Sequence, residues 1–373
     1  LTWTAGVGSA RAIARLCEHH TAYRWLCGGV PVNHDMLSAF RRDSGPLLDR
    51  LLTQSLTSLL AEGLITLEEV AIDGTKTQAH AGRGSMAQRE RLVKLEQAVA
   101  EHVAKLKQEV EADGAAAECK RQKRALRAAA ERAARLRRAQ ETLAELEREK
   151  AERAKRHAKE EAEKRAPSVS ISDPEARSMK PALGRLTRGM ADGATRLAWN
   201  VQVATSNGFI VTIDPTDRRN DSGLAEGLVQ QVLDRCGVTP QRLLADGSAM
   251  TQDDIVGLSQ SNPELAVYSP PPMERQDVTA ETLRKRVWKH QNEPAPAQDW
   301  RTRMASEAAK LVYRRRKLTE HAHAKMKNRG FGRMLVNGLA TVRCVCLLHA
   351  LAHNLLNAHN LLNAHRLRLA AAV

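Results

Sequence analysis

The chain has 373 residues, with 58 Lys and Arg against 43 Asp and Glu and a formal charge of +15. That length excludes a disulfide-stapled miniprotein and admits either one large core or two domains with an excursion between them. The charge favours a polyanionic partner, nucleic acid before an anionic membrane.

No uninterrupted run of 18 apolar residues occurs, and no basic start leads into a short apolar stretch. The sequence therefore gives neither a membrane span nor a signal peptide, and the cytoplasm is the expected compartment. The six cysteines, at 17, 27, 119, 236, 344 and 346, show no zinc-type spacing.

In chain order, residues 10–26 carry Ile13, Leu16, Cys17 and Trp25 at helical spacing. Asn33 precedes a second helix near Met36 and can cap it. A third helix, rich in Leu, covers 47–60. Residues 1–62 thus form a helical segment. The sequence LITLEEVAID (64–73) predicts a strand ending at Asp73.

Residues 87–164 form a charged tract of Ala, Glu, Arg and Lys without proline. Leu92, Leu95, Val99, Val103, Leu106 and Val110 recur at steps of three and four, and Leu126, Ala133, Leu136, Leu143 and Leu146 at steps of seven and three. The helical pattern weakens at Gly114, which predicts an antiparallel helical hairpin turning near Asp113 in preference to one rod. Most of its charges read as solvated faces and intrahelical pairs.

Beyond Pro167 the pattern turns to strand. WNVQVAT (199–205) and FIVTID (209–214) flank Ser206-Asn207-Gly208, a strong hairpin signal. A helix over 224–233 and strands at 243–247 and 264–270 follow, so the fold class is α/β. Residues 270–300, polar and proline-containing, read as a loop. The chain from Ser306 onward is helical, and its HNLLNA repeat at 353–358 and 359–364 adds helix without chemistry.

Asp73-Gly74 and Asp246-Gly247 each close a short apolar strand. A carboxylate there is held rigidly by the sheet while the backbone opens to solvent, which suits a metal ligand. Asp-Gly alone is equally a turn starter. Glu320 lies in a helical run beside Arg314, Arg315, Arg316 and Lys317. Taken singly it is a surface residue, but among those cations it can serve both a divalent ion and a phosphate backbone.

With these motifs in place, the chain resembles DDE-type transposases of the IS1182 family of bacterial insertion sequences. The resemblance rests on VAIDGTKTQAHAGRG (70–84), SDPEARSMK (172–180), WNVQVAT, LLADG, VYSP (267–270), RRKLTEHAHAKMKNRG (315–330) and GLATVRCVCLLHALAHNLL (338–356). It implies a ribonuclease H-like catalytic core over 63–373, interrupted by the 87–164 coiled-coil-like insertion. The segment 1–62 would then be the remnant of an N-terminal helical DNA-binding domain truncated upstream of Leu1.

The resemblance also implies Asp73, Asp246 and Glu320 as catalytic and metal-binding residues. They would use Mg²⁺, or Mn²⁺ in its place, for hydrolysis and strand transfer at element ends. The implied partner is double-stranded DNA, both terminal repeats and target, bound by a homodimer. An inactive, DNA-binding remnant and a non-catalytic coiled-coil scaffold are the competing readings.

Lys76, Arg314, Arg315, Arg316, Lys317, Lys325, Lys327 and Arg329 are the expected phosphate contacts, carrying little base specificity. Trp199 replaces the family's usual Tyr, Ser206 an Asp, and His321 and His323 an aromatic and an Asn. Those two histidines do not share a helix face. Asn200 and Gln202 lie on one side of their strand, facing either the cleft or solvent. Asp173 and Arg177 are expected to pair in a first helical turn.

Overall fold

The computed structural model describes residues 2–112, 116–156, 166–179, 195–272, 288 and 290–371. Two compact units emerge. One comprises Leu1–Thr77, Trp199–Leu335 and Ala340–Val373, the other Gln78–Ala198 and Val336–Leu339.

The first unit opens with four helices: α1 (Ala10–His19), α2 (Thr21–Leu26), α3 (His34–Asp43) and α4 (Gly45–Ala61). The single helix expected over 10–26 is broken at His20, whose backbone is extended at φ −102°, ψ 123°. Its Nδ1 accepts the Ala22 N–H at 3.2 Å, so one residue ends α1 and caps α2. Asn33 caps α3 through the Asp35 N–H at 2.8 Å, as the sequence predicts. Ile13, Cys17 and Tyr23 form a small core, in which the Cys17 and Cys27 sulfurs lie 3.4 Å apart.

A mixed sheet follows. It contains β1 (Glu69–Gln78), β5 (Arg196–Ser206), β6 (Phe209–Thr216), β7 (Arg242–Ala245) and β8 (Ala266–Tyr268). In the first unit the order is β6-β5-β1-β7-β8, with β5/β6 antiparallel and both β1/β7 and β7/β8 parallel. The β5/β6 hairpin turns on Asn207 and Gly208, at φ 51° and 80°. Two successive positive φ values are what a two-residue turn between right-twisted strands requires.

β1 differs from expectation: it passes through Asp73 and ends at Gln78. Thr75 and Thr77 are buried, and the alternation of burial carries the strand onward. The predicted loop over 270–300 also gives way to helix at its end. Of that loop, residues 273–287 and 289 lie outside the described chain, and α9 (Ala295–Ala305) begins right after Pro294. Helices α7 (Ala225–Cys236) and α8 (Gln252–Ser261) follow β6 and β7, and α10 (Glu307–Arg314) and α11 (Lys317–Met326) lead to the final helix, α12 (Leu339–Ala371).

The first HNLLNA copy does more than extend α12. At the register shift between β5 and β6, Ile210 exchanges its N–H and C=O with the Asn354 amide, both at 2.8 Å. Asn357 donates to the Gly208 carbonyl at 2.8 Å, and His353 Nε2 lies 2.9 Å from the same oxygen. The second copy repeats the first copy's Asn357–His353 contact as Asn363–His359, also at 2.9 Å, within the exposed helix. By length and composition 339–364 is apolar enough to cross a membrane, yet half of that stretch is buried inside the protein.

In the second unit α5 (Arg89–Ala112) and α6 (Ala116–Arg156) pack side by side. Arg89 pairs with Glu147 and Gln140 with Glu96, so residue numbers rise on one helix as they fall on the other, which makes the pair antiparallel. The interface buries Leu92, Val99, Leu136, Ala139 and Leu143, and the turn expected near Asp113 lies outside the described residues. At the hairpin base, β2 (Met86–Ala87) pairs with β3 (Val169–Ser170).

Asp173 is fully buried and accepts the Gly338 N–H at 3.0 Å, while Glu175 accepts that of Leu339 at 2.6 Å. The helical turn expected here is a turn into strand β4 (Arg177–Met179), and Arg177 donates to the Pro174 carbonyl.

His349 is buried between the rings of Trp3 and Phe331, and burial, reinforced by Arg329, pushes its pKa down to about 3. It is neutral in the fold and becomes charged near pH 6.5 once unfolded, so the unfolded state takes up the proton as pH falls. His349 alone should cost about 2 kcal/mol of stability between pH 7 and pH 5. Denaturant melts of wild type and His349→Phe should show a smaller loss for the variant over that interval; equal losses would contradict a neutral buried imidazole.

Candidate active site: carboxylates around an arginine

The β1/β7 register runs from Glu69↔Arg242 to Ile72↔Ala245. Asp73 and Asp246 are the next residue on each strand. Two parallel neighbours thus present carboxylates side by side at the carboxyl end of the sheet, where open α/β sheets gather functional groups. Hydrophobic Val70–Ile72 and Leu243–Ala245 are buried beneath them and fix their height.

Glu320 arrives from α11. Thr319, buried on that helix, hydrogen-bonds Thr205 of β5 at 2.7 Å, and Ala322, His323 and Met326 bury the same face. This seats the start of α11 on the sheet next to β1. Arg316, one turn earlier, then reaches both acids: Nη1 is 3.3 Å from Asp73 Oδ2 and Nη2 is 2.7 Å from Glu320 Oε1. Its guanidinium also lies over the Tyr313 ring, 5.8 Å from the centroid.

Burial raises the Asp73 pKa to about 6. Arg316 opposes that shift, while Asp221, Asp246 and Glu320 add to it. Asp73 is therefore in a field of three further carboxylates. Asp246 is displaced the other way: burial is outweighed by the Ser248 hydroxyl, 2.7 Å from Oδ2, by Arg316 and by the Gly247 and Ser248 N–H groups. For Arg316, burial is likewise outweighed, first by Asp73, and its charged form is favoured.

Burial also raises the Tyr313 pKa, against Arg316, with Asp246 adding to the rise through charge and a hydrogen bond. His323 Nδ1 lies 3.6 Å from Asp73 Oδ2. Burial, with Lys327 and Arg316, lowers the His323 pKa to about 3, so this contact joins a neutral ring to the carboxyl and is no ion pair at neutral pH. His321 is exposed, in keeping with the two histidines lying on different faces.

Asp221 had no local pattern to mark it. It follows β6 in the stretch DRRNDSG, and its Oδ1 accepts from Asn200 at 2.7 Å and Gln202 at 2.6 Å and lies 3.5 Å from Lys76 Nζ. Asn200 and Gln202 thus face inward, toward the carboxylates. Asp221 also explains Gly74, which lies inside a strand: a Cβ there would clash with Asp221 Oδ1 and come within 2.5 Å of Gln202 Nε2. Gly247 is similarly confined, since its Cβ would lie 2.7 Å from the Pro270 carbonyl oxygen.

Of the expected phosphate contacts, Lys76 faces Asp221, Arg315 pairs with Glu69 at 2.6 Å, Arg316 is shared by Asp73 and Glu320, and Lys325 donates to Asn357 at 3.0 Å. Partial desolvation lowers the Lys327 pKa and Asp73 opposes this. Arg314 and Lys317 are exposed and Arg329 is half-buried. Sequence reasoning passed over Tyr313, although Tyr313, Arg316 and Glu320 form an i, i+3, i+7 stripe.

Oxygen donors from Asp73, Asp246 and Glu320 suit a hard divalent ion, and the three acids around Asp73 add to the rise that burial gives its pKa, so positive charge is favoured among them. In this arrangement Arg316 supplies it. Among the described residues no three His, Cys, Asp or Glu side chains stand close enough to enclose a metal ion.

Gly74→Ala should destabilise the fold by about 1–3 kcal/mol, the range for overpacking a tight contact. In a Gly74→Ala/Asp221→Ala double variant the clash with the carboxylate is gone, and the two losses should sum to more than the loss observed. Additive losses in denaturant titrations would refute the close approach.

In comparison with known proteins, a family model described as "Transposase DDE domain" matches residues 272–359. The stretch includes Glu320 and the basic residues around it and leaves Asp73 and Asp246 outside. No curated protein and no solved structure matches the chain. The matched domain supports a DDE transposase, with DNA as its substrate.

Proposed function

We propose that this protein is a DDE-type DNA transposase of the IS1182 kind, acting on insertion-sequence ends through Asp73, Asp246 and Glu320. The observation that carries this reading is the convergence on Arg316: it bridges Asp73 and Glu320 and its field reaches Asp246, so three acids distant in sequence share one cation. The order β6-β5-β1-β7-β8, with one antiparallel hairpin and two parallel pairs, supports a ribonuclease H-like core.

Asp73, Asp246 and Glu320 would hold Mg²⁺, or Mn²⁺ in its place. A divalent ion held there would supply activation of the attacking oxygen and stabilisation of the leaving one in phosphodiester transfer. The chain's own groups set the stage. Ser248 and the adjacent N–H groups keep Asp246 ionised, and the neighbouring acids make Asp73 receptive to positive charge. Arg316 holds Asp73 and Glu320 together, and its guanidinium is of the kind that would pair with a phosphate oxygen. Arg314, Lys317 and Lys327 add backbone contacts of the kind that position DNA without reading its sequence. Bringing two DNA ends together calls for a homodimer.

The competing reading is an inactive remnant that binds DNA, favoured by the ion pairs that occupy the carboxylates. Duplexes carrying the ends of the element are incubated with the protein and Mg²⁺, and cleavage and joining are scored on gels. Asp73→Asn, Asp246→Asn and Glu320→Gln should each lower product formation by about 100-fold or more while binding stays within about threefold. Equal activity of wild type and variants would sink the catalytic assignment. Binding without chemistry in the wild type would establish the remnant.

A further inference from the structure

Positive charge is unevenly distributed along the helical hairpin of the second unit. Helix α5 carries five Lys and Arg and five Glu, and residues 139–156 of α6 again carry five and five. Residues 116–138 carry nine Lys and Arg against two Glu, a formal +7 out of the chain's +15. Alternating charge therefore describes three of the hairpin's four half-helices, and the first half of α6 departs from it.

Six cations of that half are available. Lys123, Arg124, Arg127, Arg132, Arg135 and Arg138 are all exposed, and among the described residues none has a carboxylate within ion-pairing distance. Elsewhere in the hairpin such partners exist, as in Arg89–Glu147 and Lys105–Glu109. Like charges three or four residues apart, as in Arg124/Arg127, Arg132/Arg135, Arg135/Arg138 and Lys123/Arg127, each cost a few tenths of a kcal/mol. The buried Ala129, Leu136 and Ala139 hold the helix against that repulsion.

We infer that the first half of α6 is a sequence-independent clamp on the phosphate backbone of duplex DNA. From Lys123 to Arg138 the helix extends about 22 Å, and a DNA strand places about six phosphates in that length. Apart from Lys and Arg, the exposed side chains of residues 121–138 are Ala and Glu, which offer nothing to stack on bases. They also offer no large apolar group to insert into lipid, so an anionic membrane is the poorer match. The inference rests on DNA being the substrate and concerns a surface remote in sequence from Asp73, Asp246 and Glu320.

The test uses the full chain and a labelled duplex of about 30 base pairs with no element sequence, titrated by anisotropy from about 50 to 200 mM KCl. The fourfold variant Arg124→Gln/Arg127→Gln/Arg135→Gln/Arg138→Gln should lose at least about tenfold in affinity, and its salt slope should fall by about 3 to 4. The same four positions changed to Lys should bind as wild type. The pairs Arg124→Gln/Arg127→Gln and Arg135→Gln/Arg138→Gln should each show about half the change in slope, so the inference stands or falls on them if the fourfold variant loses helicity by circular dichroism.

Unchanged affinity and slope in the folded variants would overturn the clamp. So would loss of binding to phosphatidylserine vesicles with DNA binding intact. Wild-type cleavage is scored in parallel; if it is absent while the fourfold variant still loses affinity and slope, the catalytic reading fails and the clamp survives.

Discussion

Crowded negative charge at the carboxyl end of the sheet is the constraint on which the rest of the first unit depends. Parallel pairing of β1 and β7 leaves Asp73 and Asp246 adjacent, α11 adds Glu320, and the loop after β6 adds Asp221. Four partly desolvated acids repel one another unless cations stand among them. Two do: Arg316 between Asp73 and Glu320, and Lys76 beside Asp221. Removing these cations from solvent costs free energy that attraction to the acids offsets: the acids outweigh burial at Arg316 and only partly oppose it at Lys76.

The geometry that brings the groups together is held by polar contacts placed in otherwise apolar layers. The Thr205–Thr319 hydrogen bond seats α11, and Trp300 of α9 donates to the Ser269 carbonyl at 2.9 Å, tying α9 to the end of β8. Asn354 satisfies the backbone of Ile210 where the hairpin register shifts. A buried backbone group without a partner costs more than a typical hydrogen bond contributes, so each of these side chains specifies one packing among several apolar alternatives. Glycine does comparable work at position 74, where the absence of a side chain lets the Asp221 carboxylate and the Gln202 amide close over β1.

Much of this was legible in the residues. The Asn207-Gly208 turn, the Asn33 cap, the apolar stripes of α4, α5 and α6, and the strand positions of Asp73 and Asp246 all follow from local pattern. The failures were of one kind. Asp73-Gly74 looks like the end of a strand because Asp-Gly usually turns the chain, yet the strand continues since the glycine answers a neighbour 147 residues away. His20 breaks a helix that its apolar spacing would continue, and Asp221 sits in a polar loop like any other.

By itself, the sequence determined where most helices and strands lie, the excess of positive charge and its concentration in the first half of α6, because these depend on neighbours within a few residues. Tertiary structure alone decided which face of β5 carries Asn200 and Gln202 inward, which arginine reaches the carboxylates and which merely pairs with Glu69, and that a fourth acid joins the other three. Those outcomes depend on strand order and on where α11 is seated. Both are fixed by contacts between residues more than a hundred positions apart, and no local pattern encodes them.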